Sequence, residues 1–132
     1  MSRTPTSIRP CPDDILDSLV TIVSSAESEI VFITCVDEHG YAGESEAYAS
    51  KHQPKSALPI EHVLQFPKEE RSDSIMVTSR AAAPLDSIAP EDLDFTRNLI
   101  AMAADEGIEV LDHVLVRDGR HLRLRDHSDL WD

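Results

Sequence analysis

The alternation of apolar and polar residues predicts three helices, each opening at or beside a proline. Apolar residues recur three and four positions apart after Pro12, Pro59 and Pro90, and proline suits the first helical position. The third helix is the strongest prediction, ending near Glu106 with Gly107 as a left-handed cap. The predicted buried positions are Ile15, Leu16, Leu19, Val20 and Val23 in the first helix, Ile60, Val63, Leu64 and Phe66 in the second, and Leu93, Phe95, Leu99, Ile100, Met102 and Ala103 in the third.

Short runs of β-branched and aromatic residues predict five strands. They cover residues 29–36, 41–50, 74–79, 108–116 and 121–125, with turns at 37–40 and 118–119. The second strand is the most polar, which predicts an edge position or one solvated face. Hairpins at both ends, with helices between the inner strands, indicate an α/β (α+β) fold in which helices flank a mixed β-sheet. We expect a flexible N-terminal tail at 1–11, a single domain at 12–126 and a C-terminal tail at 127–132.

Composition and charge narrow the classes of function. The chain has 132 residues, of which 41% are hydrophobic, enough for a single core. Its formal net charge of −13 repels phosphate backbones, so nucleic acid is not expected as a partner. No apolar run is long enough to cross a bilayer, so no membrane association is expected. Cys11 and Cys35 form no pair motif and no signal peptide precedes them, which predicts reduced thiols in a cytoplasmic protein.

Two segments carry a specific resemblance to a known family. The first runs from Val77-Thr78-Ser79-Arg80-Ala81 to Asp92, and the second is Gly-Ile-Glu-Val-Leu-Asp-His-Val-Leu-Val at 107–116. Together they resemble the metal-site half of a RadC-type JAB (MPN) domain. That family carries a His-Asn-His-Pro-Ser-Gly loop, then Pro-Ser-x-x-Asp opening a helix, then a closing Gly-Ile-x-Leu-Leu-Asp-His. The resemblance implies the JAB/MPN sandwich, which is cytidine-deaminase-like, from about residue 12 to residue 125.

The resemblance also implies where a zinc site would lie and that its ligands have been replaced. In the family, two histidines separated by one residue hold zinc together with an aspartate that matches Asp92. Without a gap in the match, the histidine positions fall on Ser79 and Ala81. A methyl group cannot bind zinc and a serine hydroxyl is a poor ligand, so we expect no zinc and no other cofactor. The residues expected around the former pocket are Arg80, Ala82, Ala83 and Ala89, where Ala89 replaces a supporting serine.

The family's catalytic glutamate, which exchanges a proton with zinc-bound water, is matched only loosely. Glu46 is the better match and Glu44 its rival, so the relic catalytic candidates are Glu46 and Asp92. Both have ordinary explanations: Glu46 can lie on a solvated strand face, and Asp92 can stabilise the positive end of a helix dipole. A sharper hypothesis places the Arg80 guanidinium between Glu46 and Asp92 as a substitute positive charge. His113 belongs to the closing signature and is expected to be a hydrogen-bonded core histidine.

Several functions follow as expectations. The first is a catalytically inactive RadC-like JAB domain, a pseudoenzyme of a metalloprotease lineage, that works as a protein-binding or scaffolding module. A protein partner, a homodimer or pairing with another MPN domain would fit that function. The alternatives are a residual metal-dependent hydrolase with substitute ligands, acting on peptide or isopeptide bonds, and a small-ligand sensor. The sensor would use room left by the alanines at 81–83.

Overall fold

The chain folds around a mixed β-sheet with helices on both faces. A computed structural model describes residues 15–25, 29–50 and 58–132. Its elements in chain order are α1 (Leu16–Ser25), β1 (Glu29–Val36), β2 (Ala42–Ser50), α2 (Ile60–Glu69), β3 (Ser74–Arg80), α3 (Pro90–Asp105), β4 (Glu109–Arg117) and β5 (Arg120–Arg123), followed by a 3₁₀ turn (Leu124–His127). This confirms the predicted fold class and, over the described residues, the predicted order of elements.

The strand order within this part of the chain is β2-β1-β3-β4-β5. β1 pairs antiparallel with both β2 and β3, and β4 pairs antiparallel with β5. β3 and β4 are parallel because α3 crosses between them, and this pairing sets His113 opposite Val77. The polar strand β2 lies at the edge of the sheet, as its composition predicted.

One face of the sheet is covered by α1. Leu16, Leu19, Val20 and Val23 recur at helical spacing and are buried, whereas Ile22 turns outward and is 47% exposed. The helix packs on Met76 of β3 and on apolar side chains of β4 that include Val114 and Val116. The predicted start of this helix at Pro12 lies outside the described residues, as does the predicted N-terminal tail.

The opposite face is covered by α2 and α3. Ile33 of β1 and Val77 of β3 pack there against Val63 of α2 and Phe95 and Leu99 of α3. α3 ends in a Schellman motif, in which Ile108 N–H donates to the Ala103 carbonyl and Gly107 N–H to the Ala104 carbonyl. Gly107 has the positive φ of 73° that this ending requires. The predicted cap at Gly107 is therefore correct.

The structure corrects two details of the sequence prediction. Met102 was expected on the buried arc of α3 but is 36% exposed, because Asp92, Phe95, Leu99 and Ala103 define the buried stripe. The last strand ends at Arg123, earlier than predicted, because the backbone turns into 3₁₀ geometry at Leu124.

The segment expected to be a C-terminal tail lies against the sheet. Trp131 packs beside both the main core and a smaller cluster around Ala81, Leu115 and Leu124. Among the helices of the described residues, none combines the length and the apolar character needed to cross a membrane.

Candidate functional site

The three positions that the resemblance matches to metal ligands come together where the end of β3 meets the start of α3. Ser79 is the penultimate residue of β3 and Asp92 lies in the first turn of α3, and both are 0% exposed. Ala81 follows β3 and is 3% exposed. The Asp92 Oδ2 atom accepts a hydrogen bond from the Ala82 N–H at 2.9 Å, which closes the loop onto the helix. The sequence match therefore selected residues from one compact region.

The backbone of this loop is held from two sides. Ala81 N–H donates to the Val116 carbonyl at 2.9 Å, continuing the parallel pairing of β3 and β4 by one residue. The Ala81 carbonyl accepts a hydrogen bond from Arg117 Nη1 at 3.0 Å. The Ala81 methyl is buried in the cluster with Leu115 and Leu124. Ala81, the residue that the resemblance matches to the family's second histidine, is thus part of an apolar cluster.

A chain of buried hydrogen bonds runs beneath the loop and joins three elements. Ser79 Oγ lies 2.6 Å from His113 Nε2, and Thr96 Oγ1 lies 2.6 Å from His113 Nδ1. Thr96 Oγ1 also donates to the Asp92 carbonyl at 2.8 Å. Ser79, Thr96 and His113 are each 0% exposed. This arrangement confirms the prediction that His113 is a hydrogen-bonded core histidine.

The hydrogen-bond partners assign the tautomer of His113. The single hydroxyl proton of Thr96 goes to the Asp92 carbonyl, which can only accept. His113 Nδ1 therefore carries a ring proton and donates it to Thr96 Oγ1, and in the neutral imidazole Nε2 accepts the hydrogen bond from Ser79 Oγ. The Phe95 ring meets the imidazole edge-on, with 5.9 Å between the ring centroids.

Sequence reasoning missed the pairing of Ser79 with His113. The two residues lie 34 positions apart, and only the parallel register of β3 and β4 brings them together. A serine whose hydroxyl points at a histidine nitrogen has the connectivity of a nucleophile and its base. Neither side chain is exposed, however, so no substrate can reach the hydroxyl in this conformation. The contact stabilises the core.

Asp112 precedes His113 in the same signature and has a structural role of its own. Its Oδ1 atom accepts hydrogen bonds from the N–H groups of His113 at 2.8 Å and Arg125 at 3.0 Å. Burial raises the pKa of the Asp112 carboxyl above its usual value, while these two hydrogen bonds and the nearby Arg123 act in the opposite direction. The carboxylate thus ties β4 to the turn after β5.

The remaining predicted site residues are spread around this centre. Ala89 stands at the N-cap position of α3 and makes no capping hydrogen bond, because its methyl group has no acceptor atom. Ala82 and Ala83 are half-buried in the loop. Glu46 is exposed on β2, opposite Ile33 and so on the α3 face of the sheet, and Glu44 is exposed further along the same strand. Neither position decides which of the two glutamates matches the family residue.

Arg80 lies on the other face of the sheet. It pairs with Val116, whose side chain belongs to the cluster under α1, whereas Glu46 and Asp92 lie on the side of α3. Strand alternation thus turns Arg80 away from Ser79 and from both acids. The register gives no support to the hypothesis that Arg80 replaces the zinc charge.

The donor atoms at these positions do not fit zinc. A protein zinc site needs nitrogen, thiolate or carboxylate ligands, three of them in a catalytic centre. Here Asp92 supplies one carboxylate, already bonded through Oδ2 to the loop, Ala81 supplies no donor, and Ser79 supplies a hydroxyl directed at His113. Among the described residues, no three His, Cys, Asp or Glu side chains are grouped so that they could hold a metal ion.

Comparison with known proteins places these features in a family. The family model described as "RadC-like JAB domain" matches residues 10–129. A segment of the chain is 44% identical over 43 residues to UPF0758 proteins of Trichormus variabilis and Nostoc sp., and 39% identical over 44 residues to one of Trichodesmium erythraeum. In each case the aligned segment covers 33% of this chain and 18% of the relative. The chain thus matches a minor part of these longer proteins.

Proposed function

The chain belongs to the RadC-like JAB domain family, and from that premise we propose that it is a catalytically inactive member acting as a protein-binding or scaffolding module in the cytoplasm. The observation that carries the proposal is the use of the former ligand positions for internal contacts. Ser79 bonds His113, Ala81 is packed in a core cluster, and Asp92 bonds the Ala82 N–H. With a methyl group at Ala81 and the Ser79 hydroxyl bonded to His113, the three positions do not supply the ligands that a catalytic zinc site needs.

Loss of the ligands removes each step of the family's chemistry. Zinc-assisted hydrolysis requires an open coordination position and a water molecule whose pKa the metal has lowered. One carboxylate, a hydroxyl and a methyl group supply neither. The buried Ser79–His113 pair does not substitute for this chemistry, because it is enclosed by α3 and the sheet. A fold that no longer supports the reaction can still bind a partner, because function depends on particular sites rather than on the fold as a whole.

Metal analysis of the purified chain, together with a peptidase assay, tests the proposal. After incubation with Zn²⁺ and exhaustive dialysis, wild type should retain no stoichiometric zinc and should not cleave peptide or isopeptide substrates. The matched control is Asp92→Asn, which removes the one carboxylate but keeps an oxygen that can accept the Ala82 N–H. Zinc that survives dialysis in wild type and is lost in Asp92→Asn would overturn the proposal and establish a residual metallohydrolase.

A further inference from the structure

An apolar groove lies at the end of α3 that is remote from Asp92. It has a volume of about 450 Å³ and lies between the last turns of α3, the start of β4 and the C-terminal segment. Its walls come mainly from Ile100, Ala104, Ile108, Val110, Leu130 and Trp131. This volume falls in the range of sites that bind a drug-sized molecule or a few side chains.

Small residues border the groove, and one of its aromatic walls is held in place. Ala104 contributes only a methyl group, and the space beside Gly107 is open, since a Cβ atom added there would meet nothing within 4 Å. The indole of Trp131 is fixed, because its Nε1 donates to the Val110 carbonyl at 2.7 Å. The guanidinium of Arg125 lies 5.8 Å from the centre of the indole ring and supports it. A rigid aromatic wall loses little conformational entropy when a partner binds.

The charges at the groove favour a basic occupant. Glu109 and Asp132 both line it, beside the apolar walls. The chain as a whole carries a formal net charge of −13, so a second copy would approach against like charge. A cationic partner gains from the same field, which raises its association rate and selects against acidic competitors.

We propose that this groove binds a segment of a partner protein in which an apolar side chain stands next to a lysine or arginine. The apolar side chain enters between Ile100 and Trp131, and the basic side chain lies toward Glu109 and Asp132. Fully enclosed apolar anchors with a polar rim are the arrangement that dominates protein interfaces. This inference rests on the proposed function and names the kind of partner that it requires.

Trp131 is the only tryptophan in the chain, so its fluorescence reports binding at this groove. A display library of random dodecapeptides selected against the full chain supplies the probes, and the enriched peptides are synthesised and titrated. The test variant is Ala104→Arg, which fills the groove and opposes its charge. The matched control is Ala101→Arg, the same change at an exposed position of the same helix that does not line the groove.

Enriched peptides should combine an aliphatic or aromatic residue with a nearby Lys or Arg and should shift the Trp131 emission. Ala104→Arg should weaken their binding by about tenfold or more, whereas Ala101→Arg should leave the affinity within about twofold of wild type. Raising the salt concentration should also weaken binding, because the rim charges are screened.

Three outcomes would overturn the inference: no enrichment, enrichment of peptides without basic residues, or equal affinity for both arginine variants. Self-association that Ala104→Arg abolishes would also overturn it, in favour of a second copy. Metal analysis of the same preparation keeps the two proposals separate. A groove that binds no peptide in a zinc-free protein refutes this inference alone, whereas zinc-dependent hydrolysis refutes the proposed function alone.

Discussion

The two ends of α3 differ in how their side chains are used. At the N-terminal end, Asp92 and Thr96 are fully buried and bonded to the loop after β3 and to His113. At the C-terminal end, Ala104 and Gly107 border an open apolar groove closed on one side by Trp131. At the N-terminal end the hydrogen bonds join internal groups and stabilise the fold, whereas at the C-terminal end apolar side chains border open space. Of these two sites, the groove at the C-terminal end of α3 is therefore the one that is open to a ligand.

Replacing His113 tests most strongly whether the N-terminal end is a structural centre. His113→Ala should lower the free energy of unfolding by about 3 kcal/mol or more, because it leaves a cavity and takes a buried partner from both Ser79 and Thr96. Urea denaturation measures the change. The control His121→Ala removes an exposed imidazole of β5 and should cost less than about 0.5 kcal/mol. Equal losses in the two variants would contradict a structural role for the network.

Removing only the Ser79 hydroxyl should have a smaller effect of the same sign. Ser79→Ala takes away the hydrogen bond to His113 Nε2 but leaves almost no cavity, so we expect a loss of about 1–2 kcal/mol in the free energy of unfolding. Ser87→Ala, at an exposed loop position, should be neutral. A Ser79→Ala variant as stable as wild type would mean that the hydroxyl is not needed for the fold.

A capping side chain at the start of α3 should increase the stability of the protein, because Ala89 makes no capping hydrogen bond. Ala89→Ser places a hydroxyl acceptor at the cap position beside the N–H groups of the first turn and should raise the free energy of unfolding by about 0.5–1 kcal/mol. Ala83→Ser adds the same group within the loop and should give no gain. A destabilised Ala89→Ser variant would show that packing around Ala89 outweighs the missing cap.

The pH dependence of stability should reveal the buried Asp112 carboxyl. Its raised pKa in the folded state means that protonation favours folding, so its contribution is complete below the pKa of the unfolded chain, about 4. That contribution is lost as the pH rises through the raised folded value. The stability of Asp112→Asn relative to wild type should therefore rise as the pH increases from 4 to 7.

A control separates this effect from the general charge of the chain. Asp86→Asn removes the same charge at an exposed position in the loop before α3, and any pH dependence that it shows is subtracted from that of Asp112→Asn. No pH dependence remaining for Asp112→Asn after this subtraction would contradict the burial argument. Both curves come from urea titrations at several pH values.

Much of the fold was predictable from the sequence because its signals are local. Proline at the start of α3, glycine at its end and the apolar run of β3 each determine structure within a few residues. Met102 was placed wrongly because helical spacing alone does not say where the buried stripe of a broadly apolar helix ends. The 3₁₀ turn at 124–127 gave no comparable signal.

The candidate site also combines features that could be predicted from the sequence with features that could not. Its positions could be found by matching Ser79, Ala81 and Asp92 to a known motif, since that match depends on spacing along the chain. The pairing of Ser79 with His113 could not be found in this way, because it depends on the register of the strands. The groove at Trp131 could not be found either, because it forms only when residues of α3, β4 and the C-terminal segment pack together.

Calorimetric titration of Zn²⁺ into Ser79→His/Ala81→His, with wild type in parallel, tests the central claim most directly. The double variant restores the two ligand types beside Asp92, and imidazole nitrogens with a carboxylate form a zinc-binding set. The account predicts stoichiometric binding by the double variant, loss of that binding when Asp92→Asn is added, and no such binding by wild type. Tight stoichiometric binding by wild type that depends on Asp92 would contradict it.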